Sequence, residues 1–206
     1  FEGEGTAGID LIFLIDDSAQ TMGLPFAQGK SGALGDVGFY SLGRGKNMTV
    51  YSGGVILTDN SDIAGSIEKM IERLSEPGIY SEIVRFIEFV SYAVMLMPRL
   101  YWIPNSLPFL GLGKTIYDED FPMQKLSKLQ LCAGPVMFSK LQSVNAIRCR
   151  NSNALAEKIL KLGQFAIPGW HEPSLLPYIR LPILALDRST RDKAIRKLQS
   201  IGIISS

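Results

Sequence analysis

Asp16-Asp17-Ser18-Ala19-Gln20 closes an apolar run at residues 11–15, and farther along Ser41-Leu42-Gly43-Arg44-Gly45-Lys46 is followed by Asn47 and by Gly53-Gly54. A carboxylate, a hydroxyl and a lysine amine delivered by short apolar segments can divide one task between them. The amine can capture an aldehyde as a Schiff base and later move protons. An acid facing a ring nitrogen keeps that nitrogen protonated, and the protonated ring takes up the electron pair of a breaking C–H bond. A hydroxyl beside backbone N–H groups receives a phosphate. Pyridoxal 5'-phosphate (PLP) is the one cofactor that all three groups suit.

Each residue also has a plainer reading. A lone lysine in a glycine-rich loop is usually solvated, Asp16, Asp17 or Ser18 could cap a following helix, and Ser41 could satisfy its own loop backbone. A nucleotide P-loop is excluded, because that motif needs glycine where Tyr40 stands and Ser or Thr where Asn47 stands. A formal net charge of +1 with interspersed acids and bases does not point to nucleic acid.

Asp16 to Gly23, then Gly32 to Ser41, then Lys46-Asn47 and Gly53-Gly54, resemble in order and spacing the sugar-nucleotide aminotransferases of the DegT/StrS type, which are fold-type I PLP enzymes; the likeness runs over about residues 10–75. The resemblance implies that Lys46 forms the Schiff base, that Asp17 pairs with the pyridine nitrogen and that Asp16 is a neighbour only. It places Gln20 against the cofactor ring, Ser41 on the phosphate, and Asn47 near the cofactor or the dimer contact. A related branch of dehydratases has histidine at the lysine position, so Lys46 favours transamination. The implied reaction moves an amino group, with glutamate as donor, to a keto sugar nucleotide in polysaccharide or glycoconjugate biosynthesis. The family also implies a cytoplasmic homodimer that builds each site from two subunits. The alternative is a noncatalytic binding or assembly protein that keeps the fold.

The 206 residues, 46% hydrophobic and 20% charged, suffice for one large or two small globular domains. The expected class is α/β, a partial PLP-transferase type I large domain over 1–115 followed by a smaller α+β domain over 116–206, truncated at its end. No N-terminal signal is visible in residues 1–8, and the resemblance leads us to expect that the chain begins inside the large domain. Cys132 and Cys149 match no disulfide framework or zinc pattern, and with His171 as the single histidine no metal site is expected.

Residues 11–15 read as a strand covered on both faces of a parallel sheet, with 37–41 and 55–58 as further strands. Asn60 or Ser61 should cap a helix to about residue 75, whose stripe Ile63, Ile67, Met70, Ile71 and Leu74 would dock on the sheet. Residues 83–100 are strongly apolar, but their uncharged stretch 89–98, between Glu88 and Arg99, is far shorter than the roughly 20 residues a spanning helix needs; the segment reads as a buried or dimer-contact helix, with an interfacial membrane helix as the alternative. Residues 104–113 read as a loop, 121–141 and 145–162 as helices, and 178–186 as an edge strand despite Pro182. A last helix should open on Ser189 and Asp192 as a capping box, with Ala194, Leu198 and Ile201 inward.

Overall fold

The computed structural model describes residues 12–26, 29–95, 97, 99–100 and 123–203. Strand β1 (Ile15–Asp17) pairs in parallel with β4 (Val37–Ser41), and β4 pairs antiparallel with β5 (Gly54–Leu57), giving a mixed three-stranded sheet in the order β1-β4-β5. A two-residue hairpin, β2 (Pro25–Phe26) and β3 (Gly29–Lys30), lies in the connection between β1 and β4. The expected parallel sheet is therefore corrected to a mixed one. The expectation of cover on both faces also fails among the described residues: Ile12 is 89% and Ile15 65% exposed.

Helix α1 (Ser61–Glu72) starts as its sequence predicts, with Asn60 Oδ1 accepting from the N–H groups of Asp62 and Ile63. Its apolar stripe does not dock as expected. Ile63, Ile67 and Leu74 are half-buried, but Met70 and Ile71 are exposed. Helix α2 (Ile79–Met95) carries the apolar segment expected over 83–100 as far as Met95, and none of its residues is fully buried, so the expected buried helix is corrected to a partly exposed one. Among the described residues no helix is long and apolar enough to cross a membrane.

Helix α3 (Lys128–Ser139) opens on a capping box in which Ser127 Oγ accepts from the Gln130 N–H and Gln130 Oε1 accepts from the Ser127 N–H. Helix α4 (Leu141–Leu160) follows after Lys140 alone. The core sits where the loops after β1 and β4 meet these helices: Met22, Leu42, Met48, Val50 and Leu141 are buried together, with Leu126, Ala133 and Met137 packed against them. Farther on, β6 (Phe165–Ala166) and β7 (Leu184–Ala185) form a small antiparallel pair, so the strand expected over 178–186 shrinks to its last part. Helix α5 (Arg188–Ser200) is capped by Asp187, whose carboxylate accepts from the Thr190 N–H at 2.8 Å, and not by Ser189. Asp187 begins its cap from extended backbone, one residue before the helix, where an N-cap must stand. The loop expected over 104–113 lies outside the described residues.

Candidate active site

The register of β1 on β4 sets Asp16 beside Gly38 and Asp17 beside Phe39. Successive side chains on a strand alternate between faces, so Asp16, Gly38 and Tyr40 share one face while Asp17, Phe39 and Ser41 share the other. The first face is closed by the loop at residues 31–34. A Cβ on Gly38 would lie 1.8 Å from the Gly32 carbonyl oxygen, so only glycine lets the loop come this close. Tyr40 donates its phenol to the Ser31 carbonyl.

Asp16 is absorbed by this closure. Its Oδ1 accepts from Ser18 Oγ at 2.7 Å, and its Oδ2 accepts from the N–H of Gly32 at 2.7 Å and of Leu34 at 3.3 Å. Ser18 in turn accepts from Ser31 Oγ, which also shares a hydrogen bond with Thr21 Oγ1. The Ser18 hydroxyl, followed by the Gly32 and Leu34 N–H groups, holds the Asp16 carboxyl below its usual range against an opposing push from burial. Burial, and then the Asp16 charge, push the Tyr40 phenol upward.

Asp17 is exposed on the opposite face, and its Oδ1 accepts from the Ala19 N–H at 3.1 Å. No helix follows it; turns occupy 19–20 and 22–23, so the capping alternative does not hold. Ser41 Oγ accepts from the Gly43 N–H at 3.3 Å, which satisfies its loop and leaves the hydroxyl proton for another acceptor. Gln20 is exposed in the turn after β1.

Lys46 is half-buried in the loop after β4. Its N–H donates to the Gly43 carbonyl at 3.4 Å, and its carbonyl accepts from Arg148 Nη2 at 3.3 Å. Among the described residues its ammonium has no ion-pair partner. Asn47 is buried; its Nδ2 donates to Asn145 Oδ1 at 3.1 Å, and Asn145 Nδ2 donates to the Met22 carbonyl at 3.0 Å. One side chain of α4 thus joins the loop carrying Gln20 to the loop carrying Lys46. Asn47 Oδ1 is buried without a partner among the described residues.

Sequence reasoning missed Asn145, Arg148 and Gln130. Gln130 Nε2 donates to the carbonyls of both Val50 and Ser52, at 3.2 and 2.9 Å. Converging those two carbonyls on one amide folds the backbone sharply between them, and Tyr51 there has φ of 80°, a conformation uncommon for a bulky residue. Its ring meets Tyr92 edge-on at 5.8 Å and carries the Arg44 guanidinium at 5.1 Å.

Residues 7–92 match the family model described as the DegT/DnrJ/EryC1/StrS aminotransferase family. No curated protein matches the chain. Among solved structures, the Escherichia coli GDP-4-keto-6-deoxy-D-mannose-3-dehydratase with bound hydrated PLP is 18% identical, with a TM-score of 0.62 over 96% of this chain and 46% of that one. A DegT DnrJ EryC1 StrS aminotransferase from Brucella abortus is 19% identical, with a TM-score of 0.55 over 92% of this chain and 40% of the other. A protein described as a sugar aminotransferase from Streptococcus pneumoniae, in its PLP form, is 18% identical, with a TM-score of 0.56 over 95% and 43%. The chain has the fold of part of these enzymes, spanning less than half of each one's length.

Proposed function

From a segment that matches the DegT/DnrJ/EryC1/StrS aminotransferase model over residues 7–92, we propose that this chain carries the lysine and acid of a PLP site in an aminotransferase. The observation that carries the reading is the division of labour between adjacent acids: Asp16 is tied to the 31–34 loop, while Asp17 is exposed on the sheet face that also bears Ser41, with one oxygen accepting from the Ala19 N–H. The donor set fits the cofactor, with an amine that has no ion-pair partner among the described residues, a carboxylate, a hydroxyl with its proton unassigned and an amide oxygen left without a partner among those same residues. When bound, PLP supplies an aldehyde that captures amines and a ring that takes up electron density from a breaking C–H bond.

In this reading Lys46 Nζ holds the cofactor and, once released as a free amine, carries the proton that the reaction moves. Asp17 keeps the ring nitrogen protonated, Gln20 lies against the ring, Ser41 donates to the phosphate, and Asn47 Oδ1 accepts from a donor brought with the cofactor or the partner subunit. Lysine at position 46, where the related dehydratases have histidine, directs the proposal to transamination from glutamate to a keto sugar nucleotide. The complete site is that of a cytoplasmic homodimer, with residues 1–115 in a large domain and 116–206 in a smaller one.

Borohydride reduction of the PLP-loaded protein, followed by peptide mapping, tests the assignment. The expected result is a label on the peptide containing Lys46. A label on another lysine overturns Lys46 as the attachment point, and a protein that takes up no PLP favours the noncatalytic binding protein.

A further inference from the structure

Arg148, Asn151, Ser152 and Leu155 of α4 are spaced to share one helix face, and with Tyr178 and Leu181 they line a hollow of about 230 Å³ that opens to solvent. None of these residues belongs to the proposed PLP site, although Arg148 adjoins it through the Lys46 carbonyl.

Arg148 sets the chemistry of the hollow. A guanidinium has five N–H donors in a fork that matches oxyanions, and among the described residues Arg148 spends them on one contact, to the Lys46 carbonyl. Among the described residues no carboxylate pairs with it. Asn151, the buried Ser152 and the Tyr178 phenol add neutral polar groups, and the two leucines supply apolar wall. The hollow is open to solvent and, at about 230 Å³, has room for a phosphate or a short carboxylate.

We propose that this hollow is a binding site for a small oxyanion, a phosphate or carboxylate carried on a short apolar body, with Arg148 as its charged anchor. The binding does not depend on PLP, so its failure leaves the Lys46 proposal untouched.

The structure provides a reporter, since Trp170 stacks on Tyr178 with ring centroids 6.2 Å apart. Substituting Trp102→Phe leaves Trp170 as the single tryptophan of the chain. Its emission is then followed while the full chain is titrated with inorganic phosphate, with succinate, and with sodium chloride at matched ionic strength. A saturable change with phosphate or succinate, absent with chloride and weakened at least tenfold by Arg148→Gln, supports the site, and the responding anion identifies its source. No saturable change with either anion, an equal response to chloride, or an unchanged response in a folded Arg148→Gln variant overturns it. If that variant does not fold, amide chemical shifts of the unsubstituted chain decide: perturbations centred on Ser152 and Tyr178 support the site, and perturbations elsewhere overturn it.

Discussion

The side-chain amides of Asn47 and Asn145, 98 residues apart in sequence, meet at 3.1 Å inside the protein. Because Asn145 also donates to the Met22 carbonyl, its removal strips partners from two loops at once. A buried group left unsatisfied costs about 1 to 3 kcal/mol, so Asn145→Ala should lower the unfolding free energy by that order or more, read as a lower urea midpoint. An unchanged midpoint would show that this junction does not hold the loops.

Asp16 and Asp17 should respond differently to substitution. Asp16→Ala leaves the buried Gly32 N–H without its acceptor and should cost about 1 to 3 kcal/mol at neutral pH. Asp17→Asn lies on an exposed face and should stay within about 0.5 kcal/mol. Since the folded protein holds the Asp16 carboxyl below its ordinary value, its stabilisation is fully present above about pH 3.9 and fades as the pH falls through the depressed folded value. Stability curves from pH 7 downward should therefore be flatter on the acid side for Asp16→Asn. Equal slopes would refute this role.

Two glycines give opposite predictions for alanine. At Gly38 an added methyl would meet backbone at 1.8 Å, so Gly38→Ala should be destabilising beyond about 4 kcal/mol or prevent folding. Gly65 lies within α1 with nothing within 4 Å of its missing Cβ, and Gly65→Ala should stabilise by about 0.5 to 1 kcal/mol. Thermal melts of the two variants provide the check.

Asp187→Ala should cost about 0.5 to 2 kcal/mol through loss of the α5 cap, while Ser189→Ala should leave the helix unchanged. Circular dichroism during denaturant titration distinguishes them.

Under the proposed function, Lys46→Ala in the complete protein should lower transamination by at least roughly 100-fold, the lower range for a positioned acid–base group, and should abolish the borohydride label. Retained turnover in single-turnover assays would remove Lys46 from the reaction.

The β4 strand and α1 were legible because their signals are local: glycines bound the first, and Asn60 with an apolar repeat announces the second. Asp187 was passed over because Ser189 and Asp192 offered a better-known pattern, though the acid one residue before the helix has the shorter reach to the Thr190 N–H. The two-residue strands carry too few side chains to show an alternation. Asn145 and Arg148 were hidden for another reason. The buried residues of α4 are Leu141, Asn145, Ser152 and Ala156, so half of its inward stripe is polar and the helix shows no strong apolar face. A sequence signal did exist: polar residues spaced by three and four among small ones. Its meaning depends on loops about 100 residues away. The exposed apolar residues of β1 and α1 mark the opposite limit, since hydrophobicity predicts a need for cover without naming what supplies it.

The pairing of β1 with β4 also separates sequence changes that evolution can accept from those it cannot. Between the two strands, Ser18, Ser31 and Gly32 are tied to one another and to Asp16, so the bridge holds the ends of β1 and β4 in register. Deleting Gly38, with the upstream register held, would turn Ser41 to the side now filled by the Tyr40 ring and carry Phe39 to the place that Gly38 keeps clear. Descendants of this chain should therefore keep the count of residues in β4.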